Sequence, residues 1–160
     1  MQWQEVCEHS DLQNLPFKIE LDEKGRIVMS PAKVYHSVFQ GEIAGLLKSH
    51  RKDGKVLTEC AIKTYKGTKV ADAAWASKII FKKIKDESQC SVAPEVCIEI
   101  LSSGNTSDEI EEKKSLYFSK GAKEVWICDE EGNIRFYVPG DEIEYSILFP
   151  NFPIRIEYDV

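Results

Sequence analysis

Short apolar runs separated by polar turns dominate the first half of the chain. Phe17–Leu21 and residues 26–29 flank the polar stretch Asp22-Glu23-Lys24-Gly25. This pattern predicts a β-hairpin, with Gly25 supplying the positive φ of the turn. Ser30-Pro31 breaks the second strand and opens a helix over about 33–49. Val38, Phe39, Ile43, Leu46 and Leu47 form its apolar stripe. Gly41 and Gly45 lie four apart in that helix; their cost in helix propensity predicts close packing against a sheet.

A strand-rich middle follows, with strands expected at 55–62 and 69–76 around a Lys-Gly-Thr turn, and a further strand at 78–84. Pro94 introduces VCIEIL at 96–101, whose continuous apolar character is that of a central strand buried on both faces. Thr106-Ser107-Asp108-Glu109 is a capping box, so a helix is expected from 107 to about 120, stopped by Gly121. A second hairpin is expected from 125–128 and 134–138 across Glu130-Glu131-Gly132-Asn133. The tail at 143–156 reads as one or two more strands broken by Pro150 and Pro153. The fold class is therefore α/β (α+β): a mixed central β-sheet flanked by helices.

Length and composition narrow the class without changing the fold. At 160 residues the chain suits one domain, expected to span 1–160, and no repeat or linker interrupts it. No run approaches the roughly 20 apolar residues of a membrane span. The opening MQWQEVCEHSDLQ is acidic and mixed, so a cytoplasmic location is expected. Cys7, Cys60, Cys90, Cys97 and Cys128 are scattered and never in CxxC spacing, which argues for free buried thiols rather than disulfides or zinc.

Charge is distributed unevenly. Lys48 to Lys85 holds eleven Lys or Arg against three acids, within a chain of net charge −6. Such an asymmetry is a hint of a surface that meets a polyanion. Lys63, Lys66, Lys69 and Lys82 are its candidate nucleic-acid contacts.

There is no Gly-rich phosphate loop, GxSxG elbow, HExxH or EF-hand loop. What remains is two carboxylates in uncomfortable places. Glu99 lies inside the apolar run VCIEIL, and Asp72 lies inside VADAAWA, although Asp is disfavoured in strands. Lys113 and Lys114 follow on the second long helix, and helical periodicity does not choose between them. Two strand carboxylates with a lysine reaching in from the next helix offer hard oxygen ligands suited to Mg²⁺ or Mn²⁺. A metal held there acidifies a bound water and neutralises phosphate charge.

From about Ile19 to Val138 the chain resembles the Uma-two family of restriction-endonuclease-like proteins, a branch of the PD-(D/E)xK nuclease superfamily. IELDEKGRIVMSPA, the following helix with His36, KVADAAWAS and PEVCIEILSSGNTSDEIEEKKSLYFSKGAKEVWICD carry the resemblance. It implies a restriction-endonuclease-like core at about 17–138 with N-terminal and C-terminal β-hairpins. It also implies metal-dependent cleavage of DNA, with Asp72, Glu99 and the backbone carbonyl of Ile100 as metal ligands. The superfamily lysine two residues after the strand Glu is replaced by Leu101, and a lysine four residues before the helix tyrosine, Lys113, stands in for it. Glu42, Glu20 and His36 are accessory candidates. Ala71 replaces the Pro expected before Asp72, and SSGN replaces the usual loop after the strand. A catalytically inactive module that binds nucleic acid or a protein partner is the alternative, and exposed strand edges would allow a homodimer.

Overall fold

The computed structural model describes residues 1–157. In chain order the elements are α1 (Trp3–Glu8), β1 (Phe17–Leu21), β2 (Ile27–Pro31), α2 (Val34–His50), β3 (Gly54–Thr64), β4 (Gly67–Ser77) and α3 (Lys78–Ile84). They continue with β5 (Val96–Ile100), α4 (Ser107–Ser119), β6 (Glu124–Cys128), β7 (Ile134–Val138) and β8 (Asp141–Ile143). β1 and β2 pair as a separate two-stranded sheet, while β3 to β8 form a six-stranded sheet in sequence order. All neighbours in that sheet are antiparallel except β5 and β6. Parallel strands need a crossover, and α4 supplies it.

Every residue of β5 and β6 is buried, as the continuous apolar run at 96–101 implies. On one face Val96, Ile98, Ile100 and Trp126 pack with Phe39, Ile43 and Leu47 of α2 and with Phe149 and Phe152 of the tail. On the other face Cys97, Val125 and Ile127 pack with Ile84 of α3 and Tyr117 of α4. The sheet is thus a two-sided layer, and its middle strands carry the groups of interest. The capping box of α4 is formed: Thr106 accepts from the Glu109 amide, and Glu109 accepts from the Thr106 amide.

Several expectations are corrected. Residues 78–84 are helical, because the Ser77 hydroxyl accepts the Ile80 amide and caps a helix where a strand was expected. The helix Trp3–Glu8 has no counterpart in the sequence reading. The tail is β8 followed by irregular chain, with one bridge between Asn133 and Arg155. It is pinned by buried Glu124, which accepts from Trp126 Nε1 (2.9 Å), Ser146 Oγ (2.6 Å) and the amides of Ile147 (3.0 Å) and Leu148 (2.8 Å). Gly41 and Gly45 face outward: a Cβ on either would meet nothing within 4 Å, so they do not seat α2 on the sheet. Val38 is likewise exposed, and His36 takes a place in the buried stripe of α2. The thiols are free as expected, four of them buried, but Cys7 is exposed.

The β1–β2 hairpin is seated on the end of β4. Gly67 has φ +92°, and a Cβ there would run into the backbone of Leu21 and Asp22. Only glycine admits both that conformation and that approach. Three residues on, the Val70 amide donates to Glu20 Oε2 at 2.7 Å. A charged residue of the hairpin is thereby carried inside.

Candidate active site

β4 and β5 pair through Trp75–Val96, Ala74–Cys97 and Ala73–Ile98, and the ladder stops there. Asp72 and Glu99 occupy the next position, where the strands part. The β3–β4 ladder also skips Asp72, because Glu59 opposite it has φ +51°. Two unusual hydrogen bonds complete the break. Ile100 donates its amide to Asp72 Oδ2 at 2.7 Å, and Gln40 Nε2 donates to the Asp72 carbonyl (2.8 Å) and to Glu59 Oε1 (2.9 Å). An Asp in the middle of a sheet is tolerated because the ladder gives way around it.

The two carboxylates converge on one cation. Lys18 Nζ, from β1, lies 3.2 Å from Asp72 Oδ1 and 3.0 Å from Glu99 Oε2. Lys113, from α4, lies 2.8 Å from Glu20 Oε2 and 3.5 Å from Glu99 Oε2. Tyr117, one turn further along α4, donates its hydroxyl to Glu99 Oε1 at 2.6 Å. His36 Nε2 is 3.3 Å from Asp72 Oδ1. Three buried carboxylates therefore share two ammonium groups, and their desolvation cost is offset by that pairing together with the Tyr117 hydroxyl and the Ile100 and Val70 amides.

The electrostatics divide the acids. Burial pushes Glu99 up, and the repulsion of Asp72 and Glu20 adds to it, so its carboxyl stays above the ordinary range despite Lys113 and Lys18. Burial acts the same way on Asp72, but Lys18, His36 and the Ile100 amide outweigh it and hold Asp72 well below. Glu20 too is buried, yet Lys113, Lys18 and the Val70 amide keep it low. Burial would lower Lys18; Glu99, Asp72 and Glu20 together raise it well above an ordinary lysine. Burial, then Glu99, raises the Tyr117 phenol, so it stays a donor.

The cluster opens into a cleft of about 630 Å³. Its walls include Met29 and Lys33 on one side, Lys69, and the Ser102–Asn105 loop on the other.

Of the residues expected from the sequence, Asp72, Glu99, Lys113, Glu20, His36 and the Ile100 peptide come together here. Glu42 does not; it is exposed on α2. Of the two neighbouring lysines, Lys113 is the one that reaches this cluster. Lys114 points away, 2.7 Å from Glu111 and 3.6 Å from the Tyr137 ring centre, and it is buried rather than solvated. Lys69 lines the cleft, Lys63 and Lys66 lie by the adjoining β3–β4 turn, and Lys66 is paired with Glu112. Lys82 is exposed on α3, apart from the residues that line the cleft. Lys18, Tyr117 and Gln40 were missed. The signal for Lys18 was its place two residues before Glu20, on the same face of β1; Gln40 left none.

Hard carboxylate oxygens of this kind suit Mg²⁺ or Mn²⁺ in type. Among the described residues, however, no three His, Cys, Asp or Glu side chains stand as a ready ligand set. The Lys18 ammonium occupies the bridging position, and Lys113 separates Glu20 from Glu99. Nor, among the described residues, is any helix long and apolar enough to cross a membrane.

A mixed six-stranded sheet flanked by helices is a nuclease-like fold, and known proteins agree on that fold. The chain matches the Uma2 family model, described as "Putative restriction endonuclease", over residues 3–151, and it belongs to that family. A solved structure from Anabaena variabilis ATCC 29413, described as "a putative nuclease belonging to DUF820", has a similar fold. Its TM-score is 0.68 at 18% identity, covering 89% of this chain and 82% of that one. No curated protein matches.

Proposed function

We propose that this chain is a divalent-metal-dependent nuclease that hydrolyses phosphodiester bonds of DNA, working as one domain. The observation that carries this reading is the convergence of Asp72 and Glu99 on a single cation, Lys18, which lines the cleft beside Glu99. Asp72 and Glu99 would hold Mg²⁺ or Mn²⁺ through their carboxylate oxygens. The Ile100 amide is turned toward Asp72, and in extended backbone the carbonyl of a residue shares the side of its amide, which supports Ile100 as a third ligand. When bound, the metal supplies the positive charge that acidifies water and offsets phosphate charge.

The remaining roles belong to the chain itself. Tyr117 fixes Glu99 Oε1 and leaves Oε2, the oxygen paired with Lys18 and Lys113, to face the ion. Gln40 and the Ile100 amide hold Asp72 in a strand it would not otherwise suit. Lys113, oriented by Glu20, extends its ammonium between the carboxylates. From there it donates to the attacking water and to phosphate oxygens as negative charge grows on them. Lys69 and Lys33 at the cleft wall, with Lys63 and Lys66 nearby, would meet the flanking phosphates.

A plasmid-nicking assay in Mn²⁺, run beside a Mn²⁺ titration, tests this. Lys113→Ala should keep metal binding and lose about 10²–10⁴-fold in nicking. Glu99→Gln should lose both, and Lys114→Ala should still nick. Equal activity of wild type and Lys113→Ala would remove the catalytic role. The competing reading, a module that binds without cutting, is favoured by the pairing of Asp72 and Glu99 with Lys18; DNA binding with neither Mn²⁺ binding nor nicking would support it.

A further inference from the structure

We infer that Lys18 is a resident cation that occupies the metal position and must swing out when a divalent ion enters. This rests on the metal-binding reading above. The ammonium is nearly equidistant from Asp72 Oδ1 and Glu99 Oε2, at 3.2 and 3.0 Å. A Mg²⁺ ion binds carboxylate oxygens at about 2.0–2.1 Å, so an ion bridging the same two atoms would lie in the space the ammonium fills. The two cannot share it.

Charge balance gives the same answer independently. Glu20, Asp72 and Glu99 carry three negative charges against the two positive charges of Lys18 and Lys113. Adding a dication with Lys18 in place would leave excess positive charge in a buried cluster, with an ammonium pressed against the ion. With Lys18 withdrawn, the dication and Lys113 balance the three carboxylates.

The side chain is also built to move. β1 belongs to the separate hairpin sheet, not the six-stranded one. Lys18 lines the cleft, and its side chain is 12% exposed while Asp72 and Glu99 are at 1% and 4%. Rotation of a four-carbon stem takes the ammonium into the cleft without moving the strand. The two ammonium groups then offset two of the three carboxylate charges in the free protein, and ion binding is a competition. Apparent affinity is the intrinsic affinity scaled by the fraction of molecules in which Lys18 is withdrawn.

Two measurements decide the matter. The first uses the wild-type protein: a brief pulse of acetic anhydride with and without saturating Mn²⁺, with acetylation of each lysine read by mass spectrometry. Lys18 should label at least about fivefold faster with Mn²⁺, as expected of a side chain leaving a buried pair, while Lys113 changes little. The second compares Mn²⁺ affinity, from the electron paramagnetic resonance signal of the free ion, in wild type, Lys18→Met and Lys18→Met/Asp72→Asn. Lys18→Met should bind about tenfold or more tightly than wild type, and adding Asp72→Asn should abolish the gain. Binding by Lys18→Met alone would also support the inference. Equal or weaker binding by Lys18→Met overturns it and leaves the metal reading standing. So does unchanged Lys18 labelling in a wild-type protein that binds Mn²⁺. Absence of Mn²⁺ binding in both proteins overturns the two readings together.

Discussion

Tyr117→Phe removes one oxygen from a fully buried side chain and tests whether Glu99 is an ionised hub. The phenol donates to Glu99 Oε1 at 2.6 Å, and among the described residues it is the donor given to that oxygen; Lys18 and Lys113 serve Oε2. Phe fills nearly the same space, so packing changes little. What is lost is a hydrogen bond to a buried charged group, about 1.5–3 kcal/mol. In a chain of this size each kcal/mol moves Tm by about 2–4 °C, so the variant should melt about 3–12 °C lower without metal. Glu99, already raised by burial, should rise further, and Mn²⁺ affinity at neutral pH should drop about 10–100-fold, as for lost supports of metal ligands generally. Scanning calorimetry and a Mn²⁺ titration on the same preparation measure both. A melt within 1 °C of wild type together with unchanged Mn²⁺ affinity would refute the reasoning, because Glu99 would then not depend on Tyr117.

Three other outcomes are expected. DNA affinity should fall steeply with salt, and Lys63→Glu/Lys69→Glu should flatten the slope of a filter-binding series while leaving the Mn²⁺ titration unchanged. Asp72 and Glu20 have lowered folded pKa values, so their stabilisation is present above the unfolded carboxylate pKa of about 4 and is lost as pH falls through their folded values. Glu99, raised, has the opposite sign and stabilises more as it protonates; Asp72→Asn should therefore flatten the acid limb of urea midpoint against pH. Glu124→Ala leaves four donors without their acceptor and should cost at least about 3 kcal/mol in chemical denaturation.

The sequence carried the sheet's centre and half of the site. VCIEI was legible because a strand buried on both faces tolerates almost no polar residue, so Glu99 stood out; Asp72 stood out by its low β-propensity. The α4 helix was legible through local capping chemistry at Thr106 and Glu109. Lys113 could not be told from Lys114 by periodicity, since adjacent residues differ by only 100° around a helix, and the choice needed the family resemblance. Lys18, whose one signal was the strand face it shares with Glu20, was hard to read for another reason. A lysine in a short hairpin strand looks like surface, and only the docking at Gly67 and Val70, a long-range contact, turns it inward. The misreading of 78–84 arose from β-branched and aromatic residues whose strand preference is overruled by the Ser77 cap. The tail's structure depends on Glu124, whose partners in the tail, Ser146, Ile147 and Leu148, lie more than twenty residues away.

The hairpin that supplies Lys18 and Glu20 is tied to the main sheet by a few contacts rather than by a continuous ladder. Partial unfolding should therefore be able to detach it while the six strands remain intact. Heating would then silence the site before circular dichroism registers any loss of fold. Cooling would restore it at the speed of a hairpin re-docking rather than of the whole chain refolding. Inactivation and denaturation in this protein are expected to be two separate events.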